Sequence, residues 1–397
     1  MESSAQKRSY RFVILALACS LAFMGNYLQY QVSGLAVSVM GLLNIDTTGF
    51  QLLFLMPMMA AVVLSMPFGV LGDKFGPKRV VGIGFVFTLV GGFLRLLDLS
   101  NFHLQLISVF MMGIGMAALT ANNAKTLGLW FEEKTDFAMG FFYAFSCLGI
   151  SASQATVGMI GSIFLSYLLA DVVLAVLVLL WFLLDRNVSS KTDIPKDAVE
   201  APAFMRAAKS KSVWLIAICA GLSLAATTGY AGIMPQALEL DRGLDTAMAG
   251  QAAALLTLAS MFGCIVAPIL CSRFKSINMY LVTMSLVGAF VMFLTWAIPG
   301  SIVVLLVMML LNGFTTSMLG PILQSLPVLL PGIGTRYAGS AGGIIAEMSL
   351  LLSFLLPIGV SFVAGQDYSV TFAIFSLCYV CTLVPILFMP KFSQTGT

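Results

Sequence analysis

Three ionisable side chains lie inside long apolar stretches of the sequence, where a charge is costly and usually serves a function. Glu347 lies about nine residues into the stretch 338–364, or about 14 Å along a helix, and Asp171 about seven residues into 164–184. Lys125 lies within about one helical turn of the end of its own stretch. A buried carboxyl group can carry a proton, and a buried ammonium group can attract an anion. Glu347 and Asp171 are therefore candidates for a coupling role, in which a carboxyl group takes up and releases a proton. The alternative role for each is a structural hydrogen bond. Lys125 is a candidate anion contact, unless its side chain extends to the membrane surface.

Neutral polar side chains form a second group of candidates for binding a solute. Asn26 and Tyr30 are four residues apart and so share one face of a helix. Three more lie in other apolar stretches, namely Asn122, Tyr230 and Asn312. The alternative role for each is a hydrogen bond between helices, worth about 0.6 kcal/mol.

Composition limits what kind of protein can carry these residues. The chain has 397 residues, of which 59% are hydrophobic and only 9% charged, and its mean hydropathy is +1.00. A soluble enzyme, a nucleic-acid-binding protein and a disordered protein are excluded, because none could bury so much apolar surface; a lipid bilayer is the solvent that fits. A single His excludes a multi-His metal site, the seven Cys are interpreted as small core residues, and no nucleotide-binding loop is present. We expect no cofactor and no nucleic-acid partner.

The apolar stretches predict an all-α membrane protein with twelve spanning helices. They are 12–39, 49–71, 80–98, 103–128, 137–160, 164–184, 213–236, 246–271, 278–298, 301–328, 338–364 and 369–389. The longest polar stretch, 185–212, divides them six and six. We therefore predict a six-helix bundle over 1–184, a cytoplasmic linker over 185–212 and a second six-helix bundle over 213–397.

Lysine and arginine fix the expected orientation. If the N-terminus is cytoplasmic, all of the 20 basic residues except Arg95, Lys125 and Arg242 fall in cytoplasmic loops or termini. This asymmetry obeys the positive-inside rule and predicts that both termini are cytoplasmic. We expect the membrane to be a bacterial inner membrane. At the outer end of the third segment, Arg95 and Asp98 are three residues apart and are expected to form a structural ion pair.

The loop after the second segment carries a recognisable motif. It reads Gly69-Val-Leu-Gly-Asp73-Lys-Phe-Gly76-Pro-Lys78-Arg79. This resembles the loop 2–3 signature of the major facilitator superfamily, from which only the proline before Lys78 departs. With twelve segments and a six-plus-six division, the resemblance extends over the whole chain at the level of architecture. Gly69 would let two helices approach closely, and Gly76 would permit a tight turn.

The resemblance implies a fold of two six-helix bundles related by a pseudo-two-fold axis, with helices one, four, seven and ten lining a central cavity. It also implies a gate, in which Asp73 contacts the start of helix eleven near Ala338. Lys78 and Arg79 would pair with an acidic residue of loop 4–5, namely Glu132, Glu133 or Asp136. About 199 residues after Asp73, the corresponding position is Ser272, followed by basic residues, which indicates two related halves and an asymmetric gate.

The family resemblance implies a monomeric secondary transporter rather than an enzyme, with protons as a coupling ion. Loop 4–5, with Trp130-Phe131 and then Phe137-Ala138-x-Gly140, resembles branches that move nitrate, oxalate, monocarboxylates and other organic anions. The proton-antiport arginine of helix four is replaced by Val109, and the arginine of the nitrate branch by Ser65, which disfavours nitrate and nitrite. We therefore predict transport of a small organic anion such as a carboxylate, by proton symport or exchange. An exporter of cationic or lipophilic compounds is the alternative, since the deepest charges are acidic. A membrane enzyme and a non-transporting sensor are two further alternatives.

Overall fold

The computed structural model describes residues 4–131, 135–184, 201–298, 301–330 and 333–392. Within these ranges the chain is helical and contains no strand. The helices are α1 (Ser4–Gly34), α2 (Ala36–Leu43), α3 (Thr47–Phe75), α4 (Pro77–Arg95), α5 (Phe102–Phe131), α6 (Thr135–Val157), α7 (Ile163–Leu184), α8 (Ala201–Lys209), α9 (Lys211–Leu240), α10 (Thr246–Cys271), α11 (Ile277–Ala297), α12 (Ile302–Thr316), α13 (Leu319–Leu329), α14 (Gly334–Ala364), α15 (Tyr368–Val380) and α16 (Leu383–Phe388).

The predicted spanning segments correspond closely to these helices. Eleven stretches of the described chain are long and apolar enough to cross a membrane. The expected fifth segment forms α6, which is not one of the eleven. The protein is therefore a multi-pass helical membrane protein, with one segment fewer by this measure than the sequence predicts.

Three predicted segments are each divided into two helices. The stretch 12–39 contains most of α1 and the first half of α2, 301–328 contains α12 and most of α13, and 369–389 contains most of α15 and all of α16. A part of the predicted linker is also helical, because α8 lies within 185–212. Hydropathy measures how apolar a stretch is, so it does not detect a change of helix direction inside it.

The break between α12 and α13 interrupts the helical hydrogen bonding of the backbone, and tyrosine hydroxyls donate hydrogen bonds to two carbonyl groups there. The hydroxyl of Tyr379 donates to the carbonyl of Thr316 at 2.7 Å, and that of Tyr280 donates to the carbonyl of Met318 at 3.1 Å. An unpaired carbonyl would be costly in a membrane, so these bonds stabilise the interruption.

Close packing of α4 on α5 depends on small residues. A Cβ added at Gly91 of α4 would lie 2.6 Å from the carbonyl oxygen of Ser108 on α5, which is too close for any side chain. Thr88 bonds across the same contact, because its hydroxyl donates to the carbonyl of Met112 at 2.9 Å and accepts from the N–H of Gly115 at 3.1 Å. Small residues and interhelical hydrogen bonds are the usual means of helix association in membranes.

The chain divides into two compact units. Unit 1 comprises Met1–Ile45, Leu52–Lys191 and Leu238–Ala254, and unit 2 comprises Asp46–Gln51, Thr192–Ala237 and Leu255–Thr397. Each candidate residue is described below within its own unit.

Candidate substrate and coupling sites

Arg95 and Asp171 form an ion pair within unit 1, and neither side chain has exposed surface. Arg95 is the last residue of α4, and its Nη2 lies 3.1 Å from Oδ1 of Asp171 on α7. The same nitrogen donates to Oε1 of Gln31 on α1 at 3.0 Å. The guanidinium also lies over the ring of Tyr167, 3.7 Å from its centroid. One cation thus joins three helices, α1, α4 and α7.

The expected pair between Arg95 and Asp98 is wrong. Helix α4 ends at Arg95, so Asp98 does not lie one turn further along the same helix. Asp98 instead accepts hydrogen bonds from the hydroxyl of Ser100 at 2.6 Å and from its N–H at 3.0 Å. These bonds stabilise the charged form and lower the pKa of Asp98.

Parts of this ion pair are not hydrogen-bonded. Nε and Nη1 of Arg95 and Oδ2 of Asp171 are buried without a hydrogen-bond partner among the described residues. Gly92 makes room for the carboxylate, since a Cβ there would lie 2.4 Å from Oδ1 of Asp171. One oxygen of Asp171 therefore binds Arg95, while the other makes no hydrogen bond with the described residues. The coupling role of Asp171 stays a prediction.

The two candidates on α1, also in unit 1, differ in their exposure. Asn26 is half-buried and donates from Nδ2 to the carbonyl of Ala22 at 2.8 Å. Tyr30 is 5% exposed, and its ring meets the ring of Phe54 edge-on, with 5.0 Å between centroids. In this conformation Tyr30 is a packing residue, so direct substrate contact would require the Phe54 ring to move.

A narrow crevice lies beside these residues and is enclosed by α1, α3 and α5. Gln29, Phe54, Val109 and Gly113 are among its lining residues, and it has room for about one water molecule. Val109 occupies the position at which the resemblance implies an arginine in proton antiporters. The crevice wall at this point is accordingly apolar.

Asn122 and Lys125 on α5 both bond to the backbone of α3. Asn122 is 1% exposed, and its Nδ2 donates to the carbonyls of Phe68 at 3.1 Å and Ala118 at 2.9 Å. Nζ of half-buried Lys125 donates to the carbonyl of Gly72 at 3.3 Å. The structure thus brings these two candidates together near the C-terminal end of α3, the helix that carries the first residues of the loop motif.

Gly72 is the position at which a side chain would disturb this arrangement most directly. A Cβ there would lie 1.7 Å from Oδ1 of Asn122, whereas a Cβ at Gly69 would meet nothing within 4 Å among the described residues. We expect Gly72→Ala to lower the free energy of unfolding by about 1–3 kcal/mol through overpacking. Gly69→Ala, on the same helix, is the matched control and should leave the apparent Tm of the purified protein unchanged. Equal melting of the two variants would contradict this account.

The gating motif forms the junction of α3 and α4. Gly76 adopts a φ of 85°, in the left-handed region that favours glycine, and Pro77 then begins α4. Lys78 is half-buried and its carbonyl accepts from Nε1 of Trp181 at 3.0 Å, while Arg79 is exposed.

The expected partners of the gate fall outside the described part of the chain. The side chains of Asp73, Asp136 and Ala338 are not described, nor are residues 132–134. The gating role of the motif therefore stays a prediction.

Tyr230 and Asn312 lie together in the core of unit 2. Each is 1% exposed, and the Tyr230 hydroxyl donates to the carbonyl of Met292 at 3.2 Å. The Tyr230 ring packs on that of Phe372, with 4.4 Å between centroids. Nδ2 of Asn312 is buried and has no hydrogen-bond partner within the described ranges. Asn312 is thus a polar side chain with unused bonding capacity.

Glu347 lies in the membrane-spanning part of α14, also in unit 2. It is half-buried, and it forms no hydrogen bond or ion pair with any residue that the structure describes. Asp171 has a fixed cationic partner, whereas Glu347 has none among the described residues. Its carboxyl group is available to a proton or to a ligand.

Comparison with known proteins places these features in a family. A curated relative from Staphylococcus epidermidis, named a probable nitrate transporter NarT, is 23% identical over 88% of each chain. Among solved structures, a bacterial homologue of the human lysosomal transporter Spinster is similar with a TM-score of 0.75 and 12% identity, covering 96% of this chain and 95% of that one. The E. coli fucose:proton symporter FucP is similar with a TM-score of 0.64 and 16% identity, covering 95% and 98%.

At these identities the solved structures show a shared fold and no shared substrate. The sequence model described as Major Facilitator Superfamily matches residues 15–357, which is most of the chain. This confirms the family that the loop motif and the segment count predict, and it makes the protein a transporter rather than an enzyme. The chain belongs to the Major Facilitator Superfamily.

Proposed function

We propose that this transporter moves a small organic anion, such as a carboxylate, by alternating access, driven by proton symport or by exchange. We further propose that it acts as a monomer in a bacterial inner membrane with both termini in the cytoplasm. The distribution of basic residues supports this orientation, because almost all of them fall in loops on one side of the predicted membrane.

The observation that carries the anion proposal is the position of Lys125. It lies six residues before the end of α5, about 9 Å along the helix, half-buried beside Asn122. A cation held away from bulk water attracts an anion more strongly than an exposed one does. The curated relative named for nitrate is also named for an anion, which supports the same class of substrate.

A carboxylate is favoured over nitrate because of Ser65. The resemblance implies an arginine there in the nitrate branch, and this chain has a hydroxyl group instead, on α3. Oγ of Ser65 is buried and lacks a hydrogen-bond partner in the described part of the chain. A hydroxyl group can bond to a substrate oxygen but supplies no charge for a small inorganic anion.

The remaining candidates take roles that follow from their bonding. Asn26 and Tyr30 in unit 1, and Tyr230 and Asn312 in unit 2, are proposed as substrate contacts that become accessible as the transporter changes conformation. Glu347 is proposed as the main coupling residue, because its carboxyl group lies in an apolar span and makes no hydrogen bond or ion pair with the described residues.

A thermal-shift screen of the purified protein tests this proposal. We would compare carboxylates, nitrate, amino acids, sugars and cationic drugs, and then measure uptake of the stabilising compound in proteoliposomes. Stabilisation by a carboxylate supports the proposal. Stabilisation by nitrate alone, or by cations alone, would contradict it.

Replacing Lys125 with alanine should weaken the binding of that carboxylate. A hydrogen bond to a charged group is worth about 1.5–3 kcal/mol, so we expect the KM for uptake to rise about tenfold or more. Lys275→Ala removes an exposed lysine and is the control, for which the KM should not change. If both variants keep the original KM, Lys125 does not contact the anion.

The alternative function is export of cationic or lipophilic compounds. It is favoured by the carboxyl group of Glu347, which makes no hydrogen bond or ion pair with the residues that the structure describes. An acidic group in an apolar span can attract a cation as well as a proton. Cells that express the protein would then gain resistance to toxic cations, and Glu347→Gln would remove that resistance while Lys125→Ala would not.

A further inference from the structure

Helix α8 forms the part of the surface of unit 2 that lies next to the start of α9. Ser210 alone separates the end of α8 at Lys209 from the beginning of α9 at Lys211. Since α9 is long and apolar enough to cross a membrane, α8 must lie at the membrane face on which α9 begins.

Packing fixes which face of α8 points outward. Ala207 has no exposed surface, and α8 packs against α14 within unit 2. Met205, Arg206 and Lys209 are all exposed. At 3.6 residues per turn these three side chains fall within an arc of roughly 100°. That arc lies on the opposite side of the helix from Ala207.

A tryptophan joins α8 to the spanning helix. Nε1 of Trp214 donates to the carbonyl of Ala208 at 2.7 Å, while the side chain is 41% exposed. Lys211, Trp214 and Ile218 are spaced three and four residues apart, so they share one face of α9, and each is exposed. Tryptophan and lysine at the end of a spanning helix are typical of the boundary between hydrocarbon and lipid headgroups.

We propose that the outer face of α8, together with Lys211, binds the anionic headgroups of phospholipids in the surrounding bilayer. The three cations Arg206, Lys209 and Lys211 would bind phosphate groups, and Met205 and Trp214 would enter the boundary with the acyl chains. Charge complementarity and the position next to a membrane span identify the partner as an anionic lipid rather than a soluble molecule. Basic side chains near a membrane surface attract anionic lipids, with a gain of roughly fivefold for each at low salt.

Quenching of tryptophan fluorescence by brominated lipids tests this inference on the full chain. The purified protein would be reconstituted in phosphatidylcholine vesicles that contain brominated phosphatidylglycerol or, at the same fraction, brominated phosphatidylcholine. The signal of Trp214 is the difference between the unmodified chain and Trp214→Phe. We expect the anionic lipid to quench Trp214 several-fold more efficiently and the preference to fall with added salt.

A matched pair of variants distinguishes lipid binding at this site from a general effect of basic residues near the membrane. Arg206→Gln/Lys209→Gln/Lys211→Gln should remove the preference for the anionic lipid. Arg273→Gln/Lys275→Gln removes two exposed charges from the turn between α10 and α11 and should retain it. Equal quenching by both lipids, loss of the preference in both variants, or displacement by soluble glycerol phosphate would overturn the proposal. Transport is not measured, so the result is independent of the substrate proposed above.

Discussion

Replacing Asp171 with leucine should destabilise the protein strongly, because it leaves the guanidinium of Arg95 buried without a counter-charge. Both side chains are fully buried, and Nη2 of Arg95 depends on Asp171 and Gln31 for its hydrogen bonds. Breaking a buried ion pair by removing one partner costs about 3–5 kcal/mol. We expect a large fall in the apparent Tm of the purified protein and a lower yield of monodisperse material.

The double variant Arg95→Met/Asp171→Leu distinguishes an unpaired charge from lost packing. Replacing a buried ion pair with apolar residues of similar volume is often neutral or stabilising, so the double variant should recover most of the Tm that Asp171→Leu loses. If the double variant instead loses as much Tm as Arg95→Met and Asp171→Leu lose when their separate losses are added, the loss of stability comes from packing. The argument from charge is then wrong.

Asp171→Asn separates stability from coupling at the same position. The amide retains an oxygen that can accept from Nη2 of Arg95, but it cannot exchange a proton. A variant that is folded, binds substrate and loses proton-driven uptake would support the proposed coupling role of Asp171. Retention of proton-driven uptake would leave Asp171 a structural partner of Arg95.

The same ion pair shows why the site was less predictable than the fold. The spacing of Arg95 and Asp98 predicts a pair only if the helix continues, and α4 ends at Arg95. Gln31 and Asp171, the actual partners, lie 64 and 76 residues away in the sequence. Spacing within one helix carries no information about such partners, and Tyr167 under the guanidinium has no local signature either.

The fold was predictable because it follows from properties of single segments. Apolar length, the distribution of basic residues and the loop motif each depend on local sequence, and together they predict the family that the sequence model confirms. The helix breaks were not predictable in the same way. The interruption before α13 is stabilised by the hydroxyls of Tyr280 and Tyr379, which belong to other helices.

Lys125 illustrates an intermediate case. Its residue type and position predict a cation near the end of an apolar helix, and the sequence leaves two orientations open, toward the membrane surface or toward a substrate. In the structure Lys125 is half-buried. The structure adds a hydrogen bond from Nζ of Lys125 to the carbonyl of Gly72 on α3. Backbone carbonyls have no sequence signature, so this bond could be found only from the structure.

Replacing Glu347 with glutamine should abolish the dependence of uptake on a proton gradient while leaving the protein folded. The carboxyl group forms no hydrogen bond or ion pair with the described residues, so the amide removes the exchangeable proton without breaking a contact. Coupling free energies between sites are about 1–3 kcal/mol, or about 5–150-fold. We expect the stimulation of uptake by an inward proton gradient to decrease by a factor in that range. The apparent Tm should not change.

Glu239 provides the matched control for this experiment, since it is an acidic residue of a spanning helix that already has a partner. Its Oε1 accepts from the hydroxyl of Thr246 at 3.0 Å. Glu239→Gln should retain the response to the proton gradient, because that carboxylate serves a local hydrogen bond. If Glu347→Gln still responds to the gradient as the unmodified protein does, the coupling proton is carried elsewhere. The second oxygen of Asp171 is then the next position to test.

If Glu347→Gln instead keeps anion uptake but abolishes resistance to toxic cations, export becomes the better explanation. The carboxyl group of Glu347 would then serve as a cation contact.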